Sequence, residues 1–248
     1  MTAQQTAPIN LLNYDALSFD CYGTLIDWET GIRATLEPWA SKAGLDMTGE
    51  DLLLAYADCE ATAERETPTA LYPEILANSF RRLGTVLNTP VTDEEAQRFG
   101  ASVGDWPAFP DSHEALVSLA ETYQLIILSN VDRASFAASN ARLDVDFDLI
   151  LTAQDIGSYK PSPRNFEHLL EAAGERNIAP ERVLVVAQSL FHDHVPAKAA
   201  GLDSVWINRR HDNEGWGATP PPPAPVTPDL EFPSMQAFAD AVKVAKSA

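Results

Sequence analysis

The sequence predicts an α/β protein, with a parallel sheet covered by helices on both faces and an all-helical block inserted after the first strand. Three observations carry this reading. Short continuous apolar runs recur along the chain, such as Leu125-Ile126-Ile127-Leu128 and Val183-Leu184-Val185-Val186. Runs of that kind mark strands buried on both faces. Amphipathic stretches of helical period separate them, the alternation expected of parallel strands joined by crossovers. The third observation is an interruption, because residues 30–104 contain no convincing strand.

Taken in order, residues 15–20 read as a buried strand that ends in a turn at Tyr22-Gly23-Thr24. In the block that follows, Leu52, Leu53, Tyr56 and Cys59 recur at helical spacing, as do Leu76, Phe80 and Leu83. Pro68, Pro73 and Pro90 punctuate these helices. Residues 112–122 then predict a helix, 125–129 a strand, 132–142 a helix and 148–152 a strand. Pro163 opens a helix reaching about Gly174. Residues 182–187 predict a strand, 194–200 a helix and 204–207 a last strand. The expected organisation is a core of residues 1–28 and 105–248, with a helical cap of residues 29–104. Thr219-Pro220-Pro221-Pro222-Pro223-Ala224-Pro225 is stiff and extended, and reads as a surface strap.

The bulk properties exclude several function classes. With 36 acidic and 17 basic side chains, the 248-residue chain carries a formal charge of −19. That field repels nucleic acid and anionic lipid, so neither is an expected partner. Only Cys21 and Cys59 are present, too few for a disulfide framework. No apolar run approaches the ~18 residues of a membrane span. The polar leader MTAQQTAPIN lacks the basic and apolar regions of a secretion signal. A cytoplasmic location without membrane association is expected.

In open α/β sheets ligands bind beyond the carboxyl ends of the strands, so polar residues that end the strand runs should converge. Those residues are Asp20, the pair Ser129-Asn130, and the segment from Gln188 to Asp193. Lys160 lies in the loop after the 148–152 strand. Each is weak alone, since a Ser-Asn pair is an ordinary turn or cap. Together, in chain order, they specify a site.

These residues resemble the motifs of the haloacid dehalogenase superfamily: Asp20-x-Tyr22-Gly23-Thr24, Leu128-Ser129-Asn130, Lys160-Pro161 and Gln188-Ser189-Leu190-Phe191-His192-Asp193. The resemblance implies a Rossmann-like core with the active site between core and cap, and a homodimer. Its metal-dependent phosphatases carry a second acid two places after the first aspartate, where Tyr22 stands, and another acid where Gln188 stands. An amide is a poor ligand for a hard dication. The first motif instead resembles the L-2-haloacid dehalogenases, which displace halide from a small 2-haloalkanoic acid without metal or cofactor. No metal site and no cofactor are therefore expected.

The resemblance implies the following roles. Asp20 is the nucleophile and forms an ester. Lys160 offsets its charge. Thr24 and Ser129 hydrogen-bond the nucleophile or the substrate carboxylate, and Asp193 orients the hydrolytic water. Tyr22, Cys21, Asn130, Ser189 and His192 are assigned to substrate binding, with Asn130 near the departing halide. Some family residues are missing. Leu190 replaces the asparagine that helps place the water, so His192 or His194 is considered as a base. Phe166 replaces a tyrosine. Arg65 and Arg33 are candidates for the cap arginine that contacts halide, although Arg65, flanked by Glu64 and Glu66, also reads as a surface ion-pair partner. Trp39, Tyr56 and Trp106 are candidates for an apolar pocket. The alternatives are a phosphatase with an atypical metal site and a non-catalytic binding protein of the same fold.

Overall fold

Six parallel strands form one sheet, in the order β3-β2-β1-β4-β5-β6. The computed structural model describes residues 9–213 and 215–247, so most of the polar leader lies outside the described residues. The strands are β1 (Ala16–Phe19), β2 (Gln124–Ser129), β3 (Leu149–Thr152), β4 (Val183–Ala187), β5 (Asp203–Ile207) and β6 (Leu230–Phe232). The chain starts at the centre, since β1 pairs with β2 on one side and β4 on the other. Asp20, immediately after β1, therefore stands where the strand order reverses, the place such sheets use for ligands.

The two faces of the sheet follow the alternation of the strands. Leu17 and Phe19 of β1, Leu125 and Ile127 of β2, and Leu184 and Val186 of β4 enter one buried cluster. There they join Leu116 and Leu119 of α5 (Ser112–Ala120) and Phe238 and Val242 of α10 (Met235–Ser247). Ala16, Ile126, Leu128, Val183 and Val185 enter a second cluster on the opposite face. It is completed by Phe166, Leu169 and Ala173 of α8 (Pro163–Glu175) and Ala197 of α9 (Val195–Ala199). The crossovers also include α6 (Arg133–Leu143) and the single turn α7 (Ala153–Ile156).

The strand-free block contains four helices: α1 (Trp28–Ala43), α2 (Gly49–Glu66), α3 (Tyr72–Val86) and α4 (Asp93–Gly100). Their ends follow from local chemistry. Asp27 caps α1 by accepting from the Thr30 N–H, and Gly44, at φ 72°, ends it in the left-handed conformation that glycine adopts at least cost. Thr48 with Asp51 and Thr92 with Glu95 form reciprocal capping boxes on α2 and α4. Pro73 sits in the first turn of α3, where its missing N–H costs nothing. The inserted segment leaves and re-enters the core side by side. Ile26 bridges Ala108 in antiparallel fashion, flanked by Asp27 N–H to Pro107 O at 2.8 Å and Phe109 N–H to Leu25 O at 3.0 Å.

Two elements escape the sequence reading. β6 has only three residues, without an apolar run, and α10 follows it beyond the last predicted strand. The helix expected over 194–200 begins at Val195, because residues Leu190–His194 form a wide π-helical turn first. Among the described residues no helix is long and apolar enough to cross a membrane.

Arg209, just after β5, ties this edge of the sheet to the turn that bears the central aspartate. Its guanidinium donates to Thr24 O at 2.8 and 3.2 Å and to both Asp111 oxygens at 2.9 Å, and it lies 4.1 Å from the centre of the Phe109 ring. Replacing it leaves the Thr24 carbonyl without a partner and the Asp111 carboxylate with only the Gln236 N–H. Arg209→Gln is expected to lower the unfolding free energy by about 3 kcal/mol in urea titration.

Candidate active site

Asp20 reaches its position through a tight turn. Its N–H bonds Val186 O at 3.1 Å, which carries the sheet register one residue past β1. The chain then folds back through Leu25 N–H to Cys21 O at 2.8 Å and Gly23 N–H to Ile26 O at 2.8 Å. Gly23 has φ 89°, and a Cβ there would stand 3.1 Å from Gln188 Oε1 and Trp28 Nε1. Both conditions favour glycine.

The carboxylate of Asp20 is held at both oxygens. Thr24 Oγ1 donates to Oδ2 at 2.7 Å and itself accepts from the Gln188 N–H at 2.9 Å, which fixes the direction of its proton. Lys160 Nζ donates to Oδ1 at 3.0 Å. The same ammonium donates to Asp193 Oδ1 at 2.7 Å and Leu128 O at 2.8 Å. An ammonium has three N–H bonds, and these three acceptors use all of them. Burial opposes the charge on Lys160, but Asp193 and Asp20 outweigh it and hold the group above the ordinary lysine range.

Asp193 is supplied by the wide turn Leu190–His194 after β4. Burial pushes its carboxyl up to about 7, with Lys160 pulling against this and Asp20 adding to it. Its Oδ2 is buried without a hydrogen-bond partner, as is Ser129 Oγ at the end of β2. Both residues line a pocket together with Asp20, Tyr22, Trp28, Glu60, Glu64, Tyr72, Asn130, Lys160, Ser189, His192 and Thr219. The two open oxygens are positioned to meet a ligand or a water (buried polar atoms otherwise find partners).

Such an arrangement, a buried carboxylate braced by a saturated ammonium at the head of a parallel sheet, sits within a stretch of chain that is matched as a whole. Residues 14–201 match the profile of the haloacid dehalogenase-like hydrolases. The chain belongs to that family. It is 25% identical over 237 residues to haloacetate dehalogenase H-2 of Moraxella sp. (strain B), covering 93% of this chain and 98% of the relative. It is 27% identical over 202 residues to (S)-2-haloacid dehalogenase 4A of Burkholderia cepacia, covering 79% and 83%. Its fold is similar to that of the L-2-haloacid dehalogenase from Xanthobacter autotrophicus with chloropropionic acid covalently bound, at a TM-score of 0.71 and 17% identity over 93% of this chain and 98% of that one.

The other residues singled out in this dehalogenase-like hydrolase fall into distinct places. Tyr22 presents its ring to the pocket while its hydroxyl bonds Ser139 Oγ at 2.9 Å. Its ring packs edge-on to Trp106, with centroids 5.6 Å apart. Ser189 Oγ bonds His192 Nδ1 at 3.0 Å and accepts from the His192 N–H at 2.9 Å. Burial, then Lys160, depress His192 to about 3, so it is a poor base near neutral pH. His194 is buried between Ser204 Oγ and Ala187 O and braces β4 to β5. Cys21 is fully buried and does not line the pocket. Asn130 does line it, but both of its N–H bonds are taken, by Glu64 Oε1 at 3.1 Å and Lys160 O at 3.0 Å. Neither cap arginine reaches the pocket: Arg33 pairs with Glu50 and Arg65 donates to Thr62. Phe166 is buried in the core below the sheet.

A divalent cation fits this donor set poorly. The Lys160 ammonium already lies within hydrogen-bond distance of both Asp20 and Asp193. Where a further acid would be needed, Gln188 instead accepts from Thr219 Oγ1 at 3.4 Å.

Besides Trp28, Tyr72 and Thr219 of the lining, the sequence reading missed Glu60 and Glu64. They lie one turn apart on α2, are 5% and 6% exposed, and face the pocket instead of pairing with Arg65. The available signal was their place on the same helical face as Leu53, Tyr56 and Ala57. Glu60 Oε1 accepts from Tyr56 OH at 3.0 Å and Tyr72 OH at 2.9 Å. Burial lifts Glu60 to about 7 against these two hydroxyls. Burial, then Glu60, lift Glu64 well above the ordinary range, with Asn130 and Lys160 opposing.

The raised value of Glu60 has a definite sign for stability. Between its ordinary 4.5 and about 7, the unfolded chain loses this proton first, so stability falls as pH rises through that window. Glu60→Gln removes this contribution and can still accept the tyrosine hydroxyls. Its stability relative to the wild type should therefore improve by about 2–3 kcal/mol between pH 4.5 and pH 8 in denaturant melts.

Proposed function

We propose that this hydrolase removes halide from small 2-haloalkanoic acids by displacement at Asp20, giving the 2-hydroxy acid without a metal, in a pocket between a core of residues 1–28 and 105–248 and a cap of residues 29–104. The observation that carries the reading is the Lys160 ammonium shared by Asp20 and Asp193, with Tyr22 where a phosphatase needs a leaving-group acid. Halide leaves without a proton, so a phenol ring at that position costs the reaction nothing. The relatives named as haloacetate and (S)-2-haloacid dehalogenases support the same substrate class.

The first step forms a bond from an Asp20 oxygen to the carbon bearing the halogen, and the carbon–halogen electron pair leaves with the halide. Lys160 and Thr24 hold the carboxylate, so no reorganisation is needed at the moment of attack. Ser129 Oγ, free of internal partners, donates to the substrate carboxylate. In the second step Asp193 Oδ2 takes one proton from water, whose oxygen attacks the Asp20 carbonyl carbon. The bond from that carbon to the ester oxygen breaks, the leaving oxygen takes the remaining water proton to give the 2-hydroxy acid, and the Asp20 carboxylate returns. A carboxyl near 7 is well matched to that task. His192 holds Ser189 and shapes the wall.

Incubation with chloroacetate and 2-chloropropionate in EDTA should release halide and the matching 2-hydroxy acid in equal amounts. Asp20→Asn should abolish release. A single turnover in H₂¹⁸O should place ¹⁸O in Asp20, detected by peptide mass spectrometry; label found only in the product under these conditions would exclude the ester. Asp193→Asn should still expel a first equivalent of halide, then stall as the esterified enzyme.

A further inference from the structure

Displacement at carbon requires the leaving atom to depart opposite the attacking oxygen. Asp20 attacks from the head of the sheet, so the departing atom faces the inserted helices. The pocket residues there are Trp28 of α1, Glu60 and Glu64 of α2 and Tyr72 of α3, with Asn130 beside them. Among the described residues that line the pocket, none on that side is a cation. Lys160, the lysine of the lining, has spent its three N–H bonds. Asn130 has spent both of its own, and Tyr72 OH donates to Glu60.

What remains, besides the indole N–H of Trp28, is the outer oxygen of each glutamate. Both use Oε1 as an acceptor, and among the described residues neither Oε2 has a hydrogen-bond partner. Four carboxyls thus line a small buried pocket against one ammonium. Two of them, Asp20 and Asp193, share that ammonium directly. The other two stand one turn apart on one helix face, where like charges out of water oppose ionisation of both. A neutral carboxyl presents an O–H. We propose that the Glu60–Glu64 pair, with Glu64 beside Asn130, hydrogen-bonds the departing halide through a retained proton, a roof that favours fluoride over the larger halogens.

This rests on the displacement reading above and adds a role for the roof. The chemistry balances without another reactant. Asp20 forms the C–O bond, the carbon–halogen pair leaves on the halide, and the glutamate proton bridges to that ion without transferring. Ester hydrolysis consumes one water and releases the hydroxy acid and one proton. Fluoride is the strongest hydrogen-bond acceptor of the halides and the poorest leaving group, so it gains most from a donor at this place.

The test compares kcat/KM for fluoro-, chloro- and bromoacetate. Glu64→Leu should lower the fluoroacetate value roughly 10- to 100-fold, the effect of a lost hydrogen bond to an ion, and change bromoacetate by less than about threefold. Glu64→Gln, which keeps an N–H donor, should recover most of the fluoroacetate rate. Equal losses for all three substrates would show a merely structural role and overturn the proposal. The unaltered enzyme supplies a check independent of the folding of any variant: sodium fluoride should inhibit bromoacetate turnover at lower concentration than sodium bromide, and the reverse order would overturn it. Absence of halide release from every haloacetate by the unaltered enzyme would instead remove the displacement reading itself.

Discussion

The active-site architecture depends on one ammonium. Lys160 Nζ joins the ends of three separate chain segments: Asp20 after β1, Leu128 in β2, and Asp193 in the turn after β4. A charge buried to this degree is stable only when fully hydrogen-bonded and paired, and here geometry supplies three acceptors for three donors. The interaction therefore does two things. It fixes how the strand ends converge, and it gathers the Asp20 and Asp193 carboxyl groups at one cation in a site where carboxyls outnumber cations.

Around that centre, neighbouring groups are held by equally saturated contacts. Thr24 is both donor to Asp20 and acceptor from Gln188. Asn130 accepts from the Lys160 N–H at 2.6 Å and donates to Lys160 O and Glu64. The loops at residues 130 and 160 are thereby locked to each other and to α2. The open valence around the site includes Ser129 Oγ and Asp193 Oδ2 on the core side and the outer glutamate oxygens on the other. A rigid frame with a few unspent groups aimed at one volume is what preorganised chemistry requires.

The sheet and the residues at its strand ends were legible because both follow from strong local signals. Buried parallel strands leave continuous apolar runs, and their carboxyl ends converge by topology, so the sequence alone groups Asp20, Ser129, Lys160 and Asp193. Glu60 and Glu64 could not. In the run Glu60-Ala61-Thr62-Ala63-Glu64-Arg65-Glu66, spacing favours a surface ion pair, and only the docking of α2 over the site turns those carboxyls inward. Asn130 and His192 show a related limit. Sequence places them near the pocket, but whether an amide has an N–H to spare, or an imidazole can take a proton, depends on neighbours from elsewhere in the chain. The short β6 escaped because three residues carry no periodicity to detect.

The paired Ile26–Ala108 crossing, where the inserted helices leave and re-enter the core, bears on how such enzymes diversify. To the sheet, residues 27–107 are equivalent to a tight connection, since the ends of the excursion are already adjacent. The closure entropy of a longer or shorter excursion changes only slowly with its length. Helices that form the ceiling of the site can thus be exchanged by descent while Asp20 and Lys160 stay in register. The half of the pocket built by the helices can evolve separately from the half built at the strand ends.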